Sequence, residues 1–221
     1  MYQNMKRGEI MKKIPTLFKK QYDKNGRYLG VIPEYNIPID PKQQIAITVK
    51  YDGTACAIID GKLYKRYDVK PGRKKPENAI FCEGYIPDRP HNPSWIPCKR
   101  NHIEDKYHWA AYDRGYSYQD EDLYVAHDLC DGTYELIGKH IQNNPYNLQG
   151  EILVRHGADI VGVMPLWENP TEAYNYFKDV LDIAWIEGFV LWTTDECLNP
   201  SEPIAKIRKK DFGFKWGKDG K

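Results

Sequence analysis

The sequence lacks long hydrophobic runs, and this argues against a membrane-spanning protein. No stretch of the 221 residues approaches the ~18 consecutive apolar residues that a transmembrane helix needs. The segment from Met1 to Lys13 is polar and basic, without the apolar centre of a secretory signal peptide. We therefore expect a globular protein that does not insert into a membrane.

Cysteines are few, and their spacing is irregular. The chain has five, an odd number, and no C-x-x-C pair. This pattern predicts reduced thiols and a cytoplasmic location. One segment rich in proline gathers several candidate metal ligands, which are Cys82, His91, Cys98, His102 and His108. Their spacings fit no standard zinc finger, so the sequence favours structural or surface roles for them.

Net charge is also nearly absent, at +1, so the chain as a whole is not a polycation. The charges are nevertheless unevenly distributed. Residues 62–75 and 206–221 are strongly basic, whereas residues 120–131 are acidic. A basic run is either a solvated face or a surface that covers phosphates. Both runs lie beside motifs with a possible phosphate-binding role, which favours the second interpretation and predicts a nucleic-acid partner.

The most informative motif present is Lys50-Tyr51-Asp52-Gly53, which separates two apolar runs, 45–49 and 54–59. A lysine at the end of a buried strand is held at a fixed point, and apolar surroundings favour its uncharged, nucleophilic form. Gly53 permits a tight turn or the close approach of a ligand. The structural alternative is an edge-strand lysine before an Asp-Gly turn.

This K-x-D-G sequence resembles motif I of the covalent nucleotidyltransferases, which include ATP-dependent DNA and RNA ligases and mRNA capping enzymes. Further matches follow in the order that the resemblance implies. Arg66 resembles the arginine that follows motif I, and Glu135 resembles motif III of RNA ligases. Glu187, followed by glycine and phenylalanine, resembles motif IV, and Lys206 resembles motif V.

Nearly the whole chain resembles the family of the vertebrate-type 5′–3′ RNA ligase. The segments that carry this resemblance are Lys13-Ile14-Pro15-Thr16-Leu17-Phe18, the Lys50 motif, Glu135-Leu136-Ile137-Gly138 with Asn144-Pro145-Tyr146, Trp95-Ile96-Pro97 with His108-Trp109, Glu187-Gly188, and Phe212-Gly213-Phe214-Lys215-Trp216. The resemblance implies an enzyme that joins RNA 5′-phosphate and 3′-hydroxyl ends, consumes ATP with Mg²⁺ or Mn²⁺, and forms a lysine–AMP intermediate.

The resemblance also implies roles for individual residues. Catalysis would rest on Lys50, Glu135, Glu187 and Lys206, and the metal ligands would be Glu187 and Glu135. The nucleotide would contact a larger set, which is Val49, Lys50, Asp52, Gly53, Arg66, Glu135, Glu187, Lys206 and Arg208. The alternatives are a DNA ligase or capping-type enzyme, and an inactive relative that only binds nucleic acid.

Two assignments stay open at the level of sequence. Glu151, in Gly150-Glu151-Ile152, is written like motif III of DNA ligases and competes with Glu135. In motif V the usual second lysine is replaced by Arg208, which Lys209 follows. If this stretch is a strand, alternation places Lys206 and Arg208 on one face and Lys209 away from it.

The periodicity of the apolar residues predicts an α+β fold. Strands are expected near 45–50, 54–60, 63–68, 123–129, 151–155 and 187–193, with helices at 171–185 and 134–142 and an ordered loop over 84–105. The resemblance implies an antiparallel, two-sheet nucleotidyltransferase core without an OB-fold. We expect one domain over 1–221, with a flexible tail at 1–12, in a monomer.

Overall fold

A computed structural model describes residues 13–40, 42–115, 129–164, 167 and 169–217. The described chain divides into two compact units. The central unit is Asp52–His156, and the flanking unit combines Lys13–Tyr51 with residues 157–217. The prediction of one domain over 1–221 stays a prediction, and the tail at 1–12 lies outside the described residues.

Strands dominate both units, and only a few helical segments occur among the described residues. The elements in chain order are β1 (Phe18–Tyr22), β2 (Tyr28–Tyr35), β3 (Ile45–Lys50), β4 (Thr54–Ile59), β5 (Lys62–Val69), β6 (Ile80–Phe81), β7 (Asn92–Pro97), a 3₁₀ turn (Ile103–Asp105), α1 (Lys106–Arg114), β8 (Gly132–Ile137), β9 (Ile152–Arg155), β10 (Ile160–Val163), α2 (Pro170–Ile183), β11 (Gly188–Thr194), β12 (Pro200–Arg208) and a second 3₁₀ turn (Lys209–Phe212). The sheets are antiparallel, so the predicted α+β class is confirmed. Within the described residues, no helix has the length and apolar character needed to cross a bilayer.

The central unit is built on a sheet with the strand order β6-β7-β5-β4-β8-β9. Helix α1 lies on one face, where Ala111 joins a core that includes Ile58, Leu136 and Leu153. The opposite face carries a smaller cluster around Trp95, which is fully buried. Alternating side chains of β4 and β8 therefore supply both faces.

The flanking unit contains a sheet with the order β10-β3-β11-β12 and the hairpin β1-β2. Helix α2 packs Phe177 and Leu181 into a core that includes Leu191 and Ile207. The predicted helix at 171–185 is confirmed, with its boundaries shifted toward the N-terminus. Asn169 is the N-cap, because its Oδ1 accepts hydrogen bonds from the first free backbone N–H groups.

Two predictions of secondary structure were wrong. The segment 134–142 begins as β8 rather than as a helix, because Tyr134 and Leu136 are buried on one face of the sheet at strand spacing. The segment 84–105 is not only a loop, since it contains β7 with the buried Trp95. Most of the predicted strand at 123–129 lies outside the described residues.

The Pro15-Thr16-Leu17 segment is held against the edge of β12. Thr16 forms a parallel bridge with Lys206. The N–H of Leu17 donates to the Lys206 carbonyl at 2.8 Å, and the Lys206 N–H donates to the Pro15 carbonyl at 2.9 Å. Leu17 and Phe18 are fully buried in the core under α2. This early segment therefore fixes the backbone at Lys206.

Lys209 points away from Lys206, as alternation predicted, but it is buried rather than free in solvent. Its side chain is 6% exposed. Its Nζ donates to the carbonyl of Leu181 and lies 3.4 Å from that of Asp182. These carbonyls belong to the last turn of α2, where acceptors lack partners within the helix. Lys209 therefore caps α2 from a neighbouring segment.

We predict that Lys209→Met lowers the free energy of unfolding by about 1.5–3 kcal/mol, the range for a hydrogen bond to a charged group. Urea unfolding followed by circular dichroism measures the change. Lys210→Met is the matched control, because the neighbouring Lys210 is exposed and its loss is expected to stay within about 0.5 kcal/mol. Equal effects of the two substitutions would contradict the capping role.

Candidate functional site

Three adjacent strands of the flanking unit bring the predicted basic residues together. Gly188 of β11 lies opposite Lys50 of β3 on one side and opposite Arg208 of β12 on the other. Two residues further along β11, Val190 pairs with Lys206. Residues opposite each other, and residues two apart, share a face of a sheet. Lys50, Lys206 and Arg208 therefore project from the same face.

This face is opposite the one that α2 covers. Phe189 and Ile207, one position out of phase with the basic residues, lie in the core with α2. On the second face, the buried Thr48 accepts a hydrogen bond at 2.8 Å from the indole N–H of Trp192. The sheet thus has one face packed against α2 and a second face that carries the three basic residues beside a small buried cluster of Ala46, Val190 and Trp192.

Gly188 is required by close packing of the backbone. A Cβ atom at this position would lie 2.1 Å from the carbonyl oxygen of Ile207 and 2.8 Å from the Cα of Arg208. Both distances are far below van der Waals contact. Gly188 therefore lets β12 approach β11 closely at the position where Lys50 and Arg208 lie on either side of it.

Lys50 forms an ion pair with Glu187, which immediately precedes β11. Its Nζ also donates to the carbonyl of Tyr51 at 3.3 Å. Both side chains of the ion pair are partly shielded from solvent. The amine is thus held by a carboxylate as well as by the strand, a partner that its apolar sequence neighbours did not indicate.

Tyr51, the residue after Lys50, is anchored by Asp159. The hydroxyl of Tyr51 donates to Oδ2 of Asp159 at 2.6 Å, and the Val49 N–H donates to the Asp159 carbonyl at 3.0 Å. Burial raises the pKa of the Asp159 carboxyl. Val49 itself pairs with Phe189, on the face that α2 covers, so its predicted nucleotide contact stays a prediction.

The surroundings of Lys206 alter its pKa. Burial, followed by the positive charges of Arg208 and Lys50, lowers the pKa of Lys206 to about 8. Glu187 opposes this change in part. Three cations share one face, and the negative charges of Glu187 and Asp211 offset part of their effect on Lys206. Such an arrangement is suited to bind an anion.

Arg208 is held by Asp211, a residue that the sequence motifs did not identify. Its Nε and one terminal nitrogen donate to the two carboxylate oxygens at 3.1 and 2.8 Å. Asp211 is 1% exposed and also accepts from the Arg208 N–H and the Tyr28 hydroxyl, each at 2.9 Å. Burial raises the pKa of Tyr28, and its hydrogen bond to Asp211 adds to the effect. In the sequence, the spacing of three residues between the oppositely charged Arg208 and Asp211 could have indicated this pair.

In the central unit, Glu135 is linked to the turn of the K-x-D-G motif. Its Oε1 accepts a hydrogen bond from the Gly53 N–H at 3.1 Å, and its Oε2 lies 3.0 Å from Nε2 of His156. A Cβ atom at Gly53 would lie 2.2 Å from the Leu136 carbonyl oxygen and 2.9 Å from Cγ of Glu135. Gly53 is therefore needed for this contact, and His156 is a partner that sequence reasoning missed.

The Asn144-Pro145-Tyr146 segment holds the same turn. The Tyr146 hydroxyl lies 2.6 Å from the N–H of Asp52, and Nε2 of Gln142 donates to the Gly53 carbonyl at 3.2 Å. The segment coils tightly, with left-handed backbone at Gln142, Asn143, Asn144 and Asn147. Asparagine tolerates this conformation better than most residues do, which gives the asparagine-rich sequence a structural reason.

Glu151, the rival for motif III, has another partner. It is 7% exposed, and its Oε1 lies 2.6 Å from Nδ1 of His140. The His140 ring stacks on Tyr107 with centroids 4.4 Å apart. Glu135 contacts the K-x-D-G turn, whereas the hydrogen bond of Glu151 leads to this aromatic pair. The assignment of motif III to Glu135 stays a prediction.

Arg66 lies on β5, opposite Trp95 of β7. Its guanidinium carbon is 5.5 Å from the Trp95 ring centroid, and a terminal nitrogen is 3.8 Å from Sγ of Cys82. Ala57 pairs with both Tyr64 and Thr133, so alternation puts Arg66 and Glu135 on the same face of the central sheet. That face is opposite the one that α1 covers.

The predicted metal ligands are chemically suitable, although they belong to different units. Glu187 and Glu135 each offer carboxylate oxygens, which hard cations such as Mg²⁺ prefer. Each is already oriented by a neighbour, Lys50 for Glu187 and His156 for Glu135. Both side chains are mostly shielded from solvent. Their metal-binding roles stay predictions.

The basic runs are placed only in part. Lys70, Arg73 and Lys74 follow β5 and are exposed, while the Lys75 amine lies 3.6 Å from the centroid of Tyr85. In the second run, Lys206 and Arg208 belong to the face described above and Lys209 is buried. Residues 218–221 and most of the acidic block at 120–131 lie outside the described residues.

Comparison with known proteins identifies a distant relative. The chain is 25% identical to a protein named RNA ligase 1 from Pongo abelii, in an alignment that covers 76% of this chain and 67% of that protein. No protein-family model matches the sequence.

Proposed function

We propose that the chain is an ATP-dependent RNA ligase that joins RNA 5′-phosphate and 3′-hydroxyl ends. The observation that carries the proposal is the common face of Lys50, Lys206 and Arg208, with Glu187 bound to Lys50. A nucleophilic amine beside two further cations is what attack on a phosphate group needs. The similarity to RNA ligase 1 favours RNA over DNA as the substrate.

The first step would be attack of the Lys50 amine on the α-phosphorus of ATP, which expels pyrophosphate and leaves AMP on the lysine. The attack needs the lone pair of Nζ. The proton on Nζ must therefore leave, and the hydrogen bond to Glu187 must be released. Strand β3 meanwhile keeps the nitrogen in place, which reduces the entropic cost of the reaction.

Lys206 and Arg208 would stabilise the negative charge on the phosphate. Lys206 lies on a partly buried surface, where a charge interacts more strongly than in water. Arg208 is fixed in its orientation by Asp211, so it offers a preorganised positive charge. Such groups stabilise a transition state without reorganising during the reaction.

Glu187 is the residue of the flanking unit that would hold Mg²⁺ or Mn²⁺. When bound, the ion would offset phosphate charge and compete with Lys50 for the carboxylate. In the central unit, Glu135 would contact the ribose or a metal, and Arg66 would contact a phosphate or the ribose, as the resemblance implies. Asp52 and Gly53 would contact the nucleotide from the turn that Glu135 and Tyr146 hold.

In the two later steps AMP would pass to the RNA 5′-phosphate, and the 3′-hydroxyl of the second end would displace it. Both steps again place negative charge at one phosphorus, so the same cations would serve. The exposed Lys70, Arg73 and Lys74 would add contacts to the RNA backbone. Such contacts do not depend on the base sequence of the RNA.

The proposal predicts a covalent adduct on Lys50. Incubation with ATP labelled at the α-phosphate should label the wild-type chain, and Lys50→Ala should abolish the label because the nucleophile is gone. Lys50→Arg should fail as well, since a guanidinium stays protonated. Denaturing electrophoresis measures the adduct, and circular dichroism checks the fold.

The matched control for this experiment is Lys19→Ala, which removes an exposed lysine of the same unit and should leave labelling unchanged. Preference for GTP would indicate a capping-type enzyme. Absence of any label in the folded wild-type chain would favour a protein that only binds nucleic acid. A label that persists in Lys50→Ala would place the nucleophile elsewhere.

We also predict that adenylation has a descending limb at high pH that depends on Lys206. The charge of Lys206 is present below its pKa of about 8 and is lost as the pH rises through that value. The initial rate of adduct formation should therefore fall above pH ~8. In Lys206→Arg the charge persists, so the descending limb should move to higher pH in whatever activity remains.

The substitution Lys206→Met should remove most adenylation at every pH. Its thermal stability at neutral pH should equal or exceed that of the wild type, because a charge that burial disfavours is gone. A descending limb that is unchanged in Lys206→Arg would show that another group titrates.

The third functional prediction separates Glu135 from Glu151. Glu135→Ala should lose most adenylation because the contact with the Gly53 turn is removed. Glu151→Ala should mainly lower the midpoint of thermal unfolding, because it leaves His140 without its carboxylate partner. Adduct rate and unfolding midpoint are measured on both. If Glu151→Ala keeps its stability and loses more activity than Glu135→Ala, the assignment of motif III is wrong.

A further inference from the structure

Three potential metal ligands converge in the central unit. None of them is among the residues proposed to join RNA ends. Cys98 follows β7, Asp105 ends the 3₁₀ turn, and His108 lies in the first turn of α1. One ligand atom from each side chain lies within 4.8 Å of those of the other two. The chain reversal between β7 and α1 thus gathers a thiol, a carboxylate and an imidazole.

All three residues are buried. Their exposed fractions are 8% for Cys98, 2% for Asp105 and 8% for His108. Both ring nitrogens of His108 are buried without a hydrogen-bond partner among the described residues. A buried polar nitrogen without a partner costs free energy, so most such groups are satisfied in folded proteins. A bound cation would give one of these nitrogens a partner.

The carboxylate of Asp105 is already oriented. The Lys65 ammonium contacts Oδ1, and the Lys99 N–H donates to Oδ2 at 2.8 Å. A carboxylate has about four lone-pair positions, so these two contacts leave room for a metal bond. Hydrogen bonds of this kind hold the ligating carboxylate in many metal sites.

We propose that Cys98, Asp105 and His108 form a binding site for a divalent transition-metal ion of the Zn²⁺ type. A thiolate and an imidazole select such ions over Mg²⁺, which prefers oxygen. Tetrahedral zinc with bonds of about 2.0–2.3 Å places its ligand atoms about 3.3–3.8 Å apart. Separations of up to 4.8 Å allow this geometry with at most a small closure of the three side chains, and water would complete the coordination.

The other candidates from the same segment do not join this site. Cys82 lies in the cluster around Trp95 on the opposite face of the sheet. The His91 side chain is 65% exposed, and that of His102 is 49% exposed beside Glu104. The spacing of cysteines and histidines did not indicate the site, because Asp105 is one of its ligands.

Lys65 is expected to limit the affinity. Its ammonium lies beside Asp105, where it repels a second cation, and Glu104 is within 3.5 Å as an alternative partner. Lys65→Met should therefore tighten metal binding by about tenfold or more, because the like charge is removed. A purely structural Lys65–Asp105 ion pair would give no such gain.

The test is a titration of the full chain with Co²⁺, whose spectrum reports its ligands. The wild type should show a thiolate-to-cobalt band in the near ultraviolet and intense visible bands of tetrahedral Co²⁺, and Zn²⁺ should abolish both. Cys98→Ser should lose the ultraviolet band. Cys82→Ser, which changes another buried cysteine of the same unit, should keep it.

His108→Gln serves if Cys98→Ser fails to fold, and thermal unfolding without metal checks each variant. His108→Gln should weaken Co²⁺ binding by at least about tenfold while the circular dichroism spectrum is retained. In the wild type, Zn²⁺ should raise the unfolding midpoint, as expected for a ligand that binds only the folded state. The proposal is overturned if the folded wild type gives no thiolate band, or if folded Cys98→Ser or His108→Gln binds Co²⁺ as the wild type does.

Discussion

The close approach of β12 to β11 at Gly188 is the constraint on which the face that carries Lys50, Lys206 and Arg208 depends. The glycine allows the Ile207 carbonyl to lie where a side chain would otherwise be. This contact fixes the register that aligns Lys50 and Arg208 on either side of Gly188. Once that register is fixed, the alternation of side chains along each strand determines which face of the sheet each residue occupies. Lys206 joins the cations, and Ile207 joins the core under α2.

The register brings like charges together, so the surrounding structure has to stabilise them. Asp211 is buried and binds the Arg208 guanidinium with both oxygens. Glu187 binds Lys50, while burial and the two other cations lower the pKa of Lys206. The face is therefore compensated at two of its three cations. The remaining excess of positive charge, at Lys206, is the feature that an anionic ligand would relieve.

The sequence predicted those features that follow from the period of a single element. The alternation in 204–208 correctly placed Lys206 and Arg208 on one face, and the helical period identified α2. It could not reveal contacts that depend on distant segments of the chain. Lys209 leaves the strand at a 3₁₀ turn and caps α2, and Glu135 lies on a strand because β4 and β9 pair with it on both sides. No local pattern contains these contacts.

The partners of Glu135 and Arg208 were not predicted, for a related reason. His156 and Asp211 belong to no motif, yet each orients a residue that does. The ion pair of Lys50 with Glu187 has a further consequence for the proposed chemistry. It joins two residues that are 137 positions apart in the sequence, so the acid proposed to hold a metal also binds the amine proposed as the nucleophile. In the proposed chemistry, a metal ion held by Glu187 would supply positive charge for binding ATP, and the Lys50 amine would keep the Tyr51 carbonyl as an acceptor. Activation of Lys50 would then be coupled to loading of the site, and the amine would remain in its ion pair until the nucleotide and its metal ion are bound.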